Sequence, residues 1–267
     1  MRTKLLEFPN TKGQTLRGVL TLPQDAIEHA VLCIPGFERS GAAEKKFKAL
    51  ADALAKKGAA VLRFDFSGTG LSDGDFSETT LETQGKEFLH ALNTFAQATK
   101  KDTVAVIAHS LGACVLAAHM HAVREYPGAI VLLAPALNQK ELLRYWFVVA
   151  QMKKTNPAME ITWDNYTERL DEDTFLNDCA RTDKMTKTNA IRPDYFLEMK
   201  DADFSHHFDA YEKRILHIHG TKDAIVPPES MTASLPNRVL VENGDHDLER
   251  PDFLAQWLPK AVDFLMR

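Results

Sequence analysis

Two hydrophobic rhythms alternate along the chain. The stretch "TLRGVLTL" (15–22) alternates apolar and polar residues behind Lys12-Gly13, which reads as an opening β-hairpin. The runs "AVLCIPG" (30–36), "AAVLRFDF" (59–66), "VAVIAH" (104–109), "AIVLLAP" (129–135), "KRILHIHG" (213–220) and "NRVLVENG" (237–244) are almost continuously apolar. Runs of that length suit strands covered on both faces of a parallel sheet. Between them the period changes. Phe47, Leu50, Ala51 and Leu54 recur at helical spacing with lysines opposite and Gly58 as a stop. Leu81, Phe88, Leu89, Leu92 and Phe95 form a second apolar stripe, and Phe253, Leu254, Trp257 and Phe264 a closing one. Strands alternating with helices predict an α/β fold with a mostly parallel central sheet and helices on both faces.

Residues 138–207 break this rhythm, with abundant charge, no continuous strand run, and Tyr145, Trp146, Phe147, Trp163, Tyr166 and Tyr195 among them. A structureless loop of that length is improbable inside a compact domain. The pattern therefore predicts an inserted, largely helical cap at 138–207 between the two parts of a core domain, 1–137 and 208–267. Its aromatics read mainly as a small core of their own, with Trp146 and Phe147 kept as candidate substrate contacts. The stretch "YWFVVAQM" (145–152) reads equally as an apolar lid or a buried cap helix.

Composition narrows the classes. The 267 residues carry 32 Lys and Arg against 37 Asp and Glu, a formal charge of −5, and the basic residues are scattered. Nucleic-acid binding is disfavoured. No apolar run approaches the roughly 20 residues of a membrane span, and the first residues lack a signal-peptide core. Cys33, Cys114 and Cys179 are odd in number, far apart and in apolar surroundings, which suits reduced thiols and a cytoplasmic location.

The chemistry is concentrated where "VAVIAH" gives way to "SLGACVLAAHM". A strand turning sharply into a helix presents its corner residue at the carboxyl edge of the sheet, where open α/β sheets bind ligands. Ser110 occupies that corner, flanked two residues away by Ala108 and Gly112, close to the G-x-S-x-G nucleophile elbow. A serine hydroxyl needs an imidazole to take its proton and a carboxylate to orient that imidazole. Asp223 follows one buried strand and His246 the next, so both loops are expected at the same sheet edge as Ser110. The loop "LLAPALN" after the preceding strand offers no carboxylate, and Asp245 and Asp247 are too close in sequence to His246 to orient it well.

A developing oxyanion needs donors, and the backbone N–H groups of Leu111 and Phe37 are the candidates. His109, beside the serine, is a candidate substrate contact. His119 and His121 point to different helix faces, and His217 and His219 share a strand face without a third ligand at metal spacing, so no metal site is predicted. His206 and His207 close the insert. The triad chemistry needs no organic cofactor.

With "PGF" (35–37), "RFDFSGTGLSDG" (63–74), "AHSLGA" (108–113), "HGTKDAIVP" (219–227) and "GDHDL" (244–248) in this order, the chain resembles the α/β-hydrolase superfamily. Within it the likeness is to bacterial cinnamoyl or feruloyl esterase-like carboxylesterases. The position before the oxyanion glycine, commonly His in that group, is Pro35 here. The resemblance implies a serine carboxylesterase acting on a small-molecule acyl or aryl ester. Two alternatives share the triad: a lipase, or an acyl thioesterase with Arg144, Lys153 and Lys154 as a basic rim. A non-catalytic ligand-binding protein is the alternative of another class. A homodimer is left open.

Overall fold

The strands are β1 (Arg2–Pro9), β2 (Thr15–Leu22), β3 (His29–Ile34), β4 (Ala59–Phe64), β5 (Val104–His109), β6 (Pro127–Leu133), β7 (Ile215–Gly220) and β8 (Arg238–Val241). In the computed structural model, which describes residues 1–231, 235 and 237–267, these form one eight-stranded sheet in the order β1-β2-β4-β3-β5-β6-β7-β8. Only the β1/β2 and β2/β4 pairings are antiparallel; β3 through β8 run parallel with β4. The order reverses at β3, so the loops after β3 and β5 open side by side at the carboxyl edge, the usual ligand position of such sheets.

The helices are α1 (Lys45–Ala55), α2 (Leu81–Thr99), α3 (Gly112–Ala118), α4 (Met120–Val123), α5 (Gln139–Thr155), α6 (Glu172–Cys179), α7 (Pro193–Met199) and α8 (Pro251–Leu265). Period-two alternation divides each core strand between two layers. Val31, Cys33, Val61, Ile107, Val131 and Ile218 pack on Phe47 and Leu50 of α1 and on Phe253 and Trp257 of α8. Leu32, Leu62, Val106 and Leu132 pack on Phe88, Leu92 and Phe95 of α2 and on Val115 and Leu116 of α3. This is the mostly parallel sheet with helices on both faces that the alternating runs predict. Among the described residues, no helix is long and apolar enough to cross a membrane.

The Ala-rich helix expected after Ser110 is broken in two. The His119 ring bonds the Val115 carbonyl at 2.9 Å, the acceptor its own N–H would take in a continuous helix, and that N–H turns to Leu116 O instead. Between β6 and β7 the chain forms α5, α6 and α7 over the carboxyl edge. The aromatics there divide: Tyr145, Trp163 and Tyr166 cluster together, whereas Phe175 and Tyr195 join the main core. Arg144 is a tie within this segment, not part of a basic rim. Its guanidinium donates to Glu172 at 3.0 and 2.5 Å and to the carbonyls of Lys140 and Lys200, each at 2.7 Å, linking α5 to α6 and α7.

Candidate active site

Ser110 sits between β5 and α3 with φ of +53°, a left-handed conformation unusual for a side chain larger than glycine. Its N–H donates to Leu133 O at 3.0 Å and its carbonyl accepts from Ala136 N at 3.2 Å, so the turn is held from β6 as well as from its own strand. The crowding explains the small neighbours. A Cβ at Gly112 would stand 2.6 Å from Pro35 O and 2.8 Å from Ile34 O, and one at Gly36 would stand 3.0 Å from Ser110 Cβ. Backbone from the β3 loop thereby comes up against the serine. The Ala108 side chain is fully buried within β5, where a methyl is accommodated.

The loops after β7 and β8 bring two further groups to Ser110. His246 Nε2 lies 3.0 Å from Ser110 Oγ, and His246 Nδ1 lies 2.8 Å from Asp223 Oδ2. The other Asp223 oxygen, Oδ1, accepts the N–H groups of Ile225 at 2.9 Å and Val226 at 2.8 Å. Burial pushes the Asp223 carboxyl upward, but hydrogen bonds from His219 and His246, with the Val226 N–H, outweigh it and set the pKa at about 2. The carboxylate is therefore ionised at neutral pH. An acceptor-only carboxylate leaves the hydrogen on His246 Nδ1, so Nε2 faces the serine hydroxyl as a base.

His109 is fully buried beneath this pair. Its Nε2 meets His246 O at 3.0 Å, and burial, with Lys46 and His246 as like charges, drives its pKa well below the ordinary histidine value. It holds the backbone of the His246 loop while also lining the cavity over Ser110. Arg39, bonded to Asp247 at 2.5 Å, joins the β3 loop to the same loop from outside.

That cavity encloses about 370 Å³ and is walled by Phe37, Leu143, Trp146, Tyr195, Phe196 and Ile225. Among the described residues no carboxylate lines it. Trp146 donates its indole N–H to Ile225 O at 2.5 Å, fastening α5 to the loop that carries Asp223. Phe147 is placed elsewhere. It packs on Phe175 at 5.6 Å between ring centres and lines a neighbouring groove, because consecutive helical residues point about 100° apart. The candidate substrate contact there is Trp146 and not Phe147.

Among the described residues neither Phe37 N–H nor Leu111 N–H has a hydrogen-bond acceptor, and both residues line the cavity. The Phe37 ring is held by Tyr195 and Phe76, with ring centres 5.0 and 5.2 Å away. Its neighbour Glu38 accepts hydrogen bonds from Thr186, Thr188 and Asn189, which fix the β3 loop from the chain between α6 and α7.

The family model described as "Serine aminopeptidase, S33" matches residues 26–245. The chain belongs to this family of α/β hydrolases. Solved structures agree on the fold. This hydrolase is similar to Est1E from Butyrivibrio proteoclasticus, described with ferulic acid bound, at 21% identity, covering 98% of this chain and 97% of that one with a TM-score of 0.73. It is also similar to the esterase domain of a Rhodothermus marinus protein, at 20% identity, 100% and 99% coverage and a TM-score of 0.67. The Pyrococcus furiosus esterase PF2001 gives 19%, 99% and 90%, and 0.64. No curated protein matches it.

Two residues of the hydrolase's site escape a reading of the sequence. Gln139, the first residue of α5, is fully buried at the cavity wall; its Nε2 donates to Ala136 O at 2.7 Å and its Oε1 has no hydrogen-bond partner among the described residues. A glutamine at a helix start is ordinary in sequence, and only the return of α5 over Ser110 gives it a position. His219 lies behind Asp223, where strand alternation alone shows a shared face with His217 but not what that face meets.

Proposed function

We propose that the protein is a serine carboxylesterase acting on esters with a small acyl or aryl group. The observation that carries this reading is the unbroken hydrogen-bond chain from Ser110 Oγ through His246 to the ionised Asp223, set at the floor of an apolar cavity. Ser110 Oγ attacks the acyl carbonyl while its proton passes to His246 Nε2. The carbonyl oxygen, now negative, is received by the N–H groups of Phe37 and Leu111. As the tetrahedral species collapses, His246 gives that proton to the departing alcohol, leaving an acyl group on Ser110. Water then repeats the sequence, returning its proton through His246 and releasing the acid. Residues 138–207 act as a cap that supplies one wall of the acyl pocket.

The cavity's chemistry favours an ester over the amino-terminal peptide that the family description names. An aminopeptidase substrate carries an α-ammonium group, whose burial calls for a facing anion. The walls are apolar apart from Arg39, Gln139 and the histidines, a setting for an uncharged acyl group. The volume of about 370 Å³ suits a short aliphatic or single-ring acyl group better than a long lipid chain.

The test is turnover of p-nitrophenyl esters from acetyl to palmitoyl, methyl ferulate and alanine p-nitroanilide by the wild type and by Ser110→Ala. The expected result is repeated turnover of short and aryl esters that the substitution abolishes. Preference for the anilide, or turnover that survives in Ser110→Ala, would overturn the reading.

A further inference from the structure

Asp223 has a second histidine neighbour that the ester chemistry above does not use. His219 Nε2 lies 2.8 Å from Val226 O and 3.3 Å from Asp223 Oδ2, the same oxygen that receives His246. Its other ring nitrogen, Nδ1, lies 3.0 Å from His217 Nε2. His219 is fully buried and His217 nearly so, both on the face of β7 turned away from α8.

The protons on this pair follow from its acceptors. A carbonyl oxygen only accepts, so His219 Nε2 carries a hydrogen. In neutral His219, Nδ1 is then bare, and His217 Nε2 must carry the hydrogen that lies between the rings. Burial above all, with the Arg238 charge in the same direction, brings His217 to a pKa of about 3, so its ring is neutral. Every hydrogen in the row therefore points the same way, from His217 through His219 toward Val226 O and the Asp223 carboxylate.

We propose that His219 is a positioning residue, fixed in its tautomer by His217, whose Nε2–H shares Asp223 Oδ2 with His246 and so sets how strongly the carboxylate holds the His246 imidazole. This rests on the proposed triad, in which Asp223 orients His246. That N–H bonds Val226 O and also lies against Oδ2, so it partly neutralises the carboxylate seen by His246. Removing it concentrates the negative charge toward His246 and favours the imidazolium, while the freed oxygen loses one of the contacts that fix its direction. Among the described residues, Tyr145, whose hydroxyl reaches Ala224 O at 3.4 Å, Arg238 on β8, and His109, whose ring centre lies 4.9 Å from that of His246, are further titratable or charged groups facing this row.

The test is imidazole titration by NMR on ¹⁵N-histidine-labelled full-length protein, comparing wild type with His219→Leu, His219→Gln and His217→Leu. The wild type is expected to show Nε2–H tautomers at His217 and His219. His219→Leu is expected to raise the His246 titration midpoint by about half a unit, roughly a threefold change in its protonation equilibrium. His219→Gln, whose amide can again donate at the Nε2 position, should restore most of the shift. His217→Leu, which frees the His219 ring to turn, should move it in the same direction but less. An Nδ1–H tautomer at His219, or an unchanged His246 midpoint in the folded variants, would overturn the proposal, as would glutamine failing to restore the shift. If His219→Leu does not fold, the glutamine and His217→Leu variants decide it. These readouts need no turnover: an inactive wild type would count against the esterase reading, while the titrations would still decide whether His219 tunes His246.

Discussion

Burial raises the Asp223 pKa, yet the N–H groups around it keep it ionised down to about pH 2. Asp223 therefore keeps its charge through the range in which an imidazole titrates. An acid limb of kcat/KM above about pH 4 is therefore expected to belong to the His246 base and not to Asp223. A limb near pH 4 in a profile from pH 4 to 9 would instead assign the base to a carboxylate. Replacing Asp223 with Asn preserves the shape but offers His246 a donor in place of an acceptor, and is expected to lower kcat by about 10⁴. A loss under tenfold would show that His246 is oriented by something else. Ser110, His246 and Asp223 were legible in the sequence because each directly follows a strand-like apolar run, so one topological rule brings them together. Gln139 and His219 were not, because their roles depend on partners set by the return of distant segments.

The elements around these residues work by close approach. A Cβ at Gly112 meets two backbone carbonyls of the β3 segment, neither of which can swing aside. Gly112→Ala is expected to cost about 2 kcal/mol or more of stability and to displace the β3 loop. An unchanged urea midpoint with full activity would contradict that. In α5, Trp146 lines both the Ser110 cavity and the groove beside it, whereas Phe147 lines only the groove. Trp146→Ala should raise KM for short aryl esters about tenfold or more, and Phe147→Ala should leave KM within about twofold; equal effects would contradict the assignment. Helical period places these neighbours on different faces, but no sequence period says which face meets the cavity. Helices between β6 and β7 were expected from the lack of strand runs there, but their arrangement was not legible, because their contacts, such as Tyr195 on Phe37 and Asn189 on Glu38, join residues far apart in the chain.

At the scale of the whole molecule, buried His217, His109 and Asp223 weaken the fold in acid. Native His217 stays neutral down to about pH 3, whereas the same side chain in an unfolded chain takes a proton near 6.5. Between those values the unfolded state binds more protons, so stability is whole above about pH 6.5 and drains as pH falls toward 3. Buried His109 acts in the same direction. Asp223, held low, adds about 2 kcal/mol that is present above about pH 4 and lost as pH falls toward 2. Urea midpoints measured from pH 7.5 to 4 should therefore fall, and His217→Leu should fall less steeply than the wild type; parallel curves would contradict this. The parallel sheet, its two helical layers and the placement of three loops at one edge could all be read from the alternation of apolar runs, since that alternation is what such a sheet requires. That Ser110 is a nucleophile activated by His246 is tested by peptide-mapped mass spectrometry after reaction with a fluorophosphonate. The expected result is a single adduct on Ser110 in the wild type, formed at least about 10³ times more slowly in His246→Gln. No adduct, an adduct on another residue, or an equal rate in His246→Gln would contradict it.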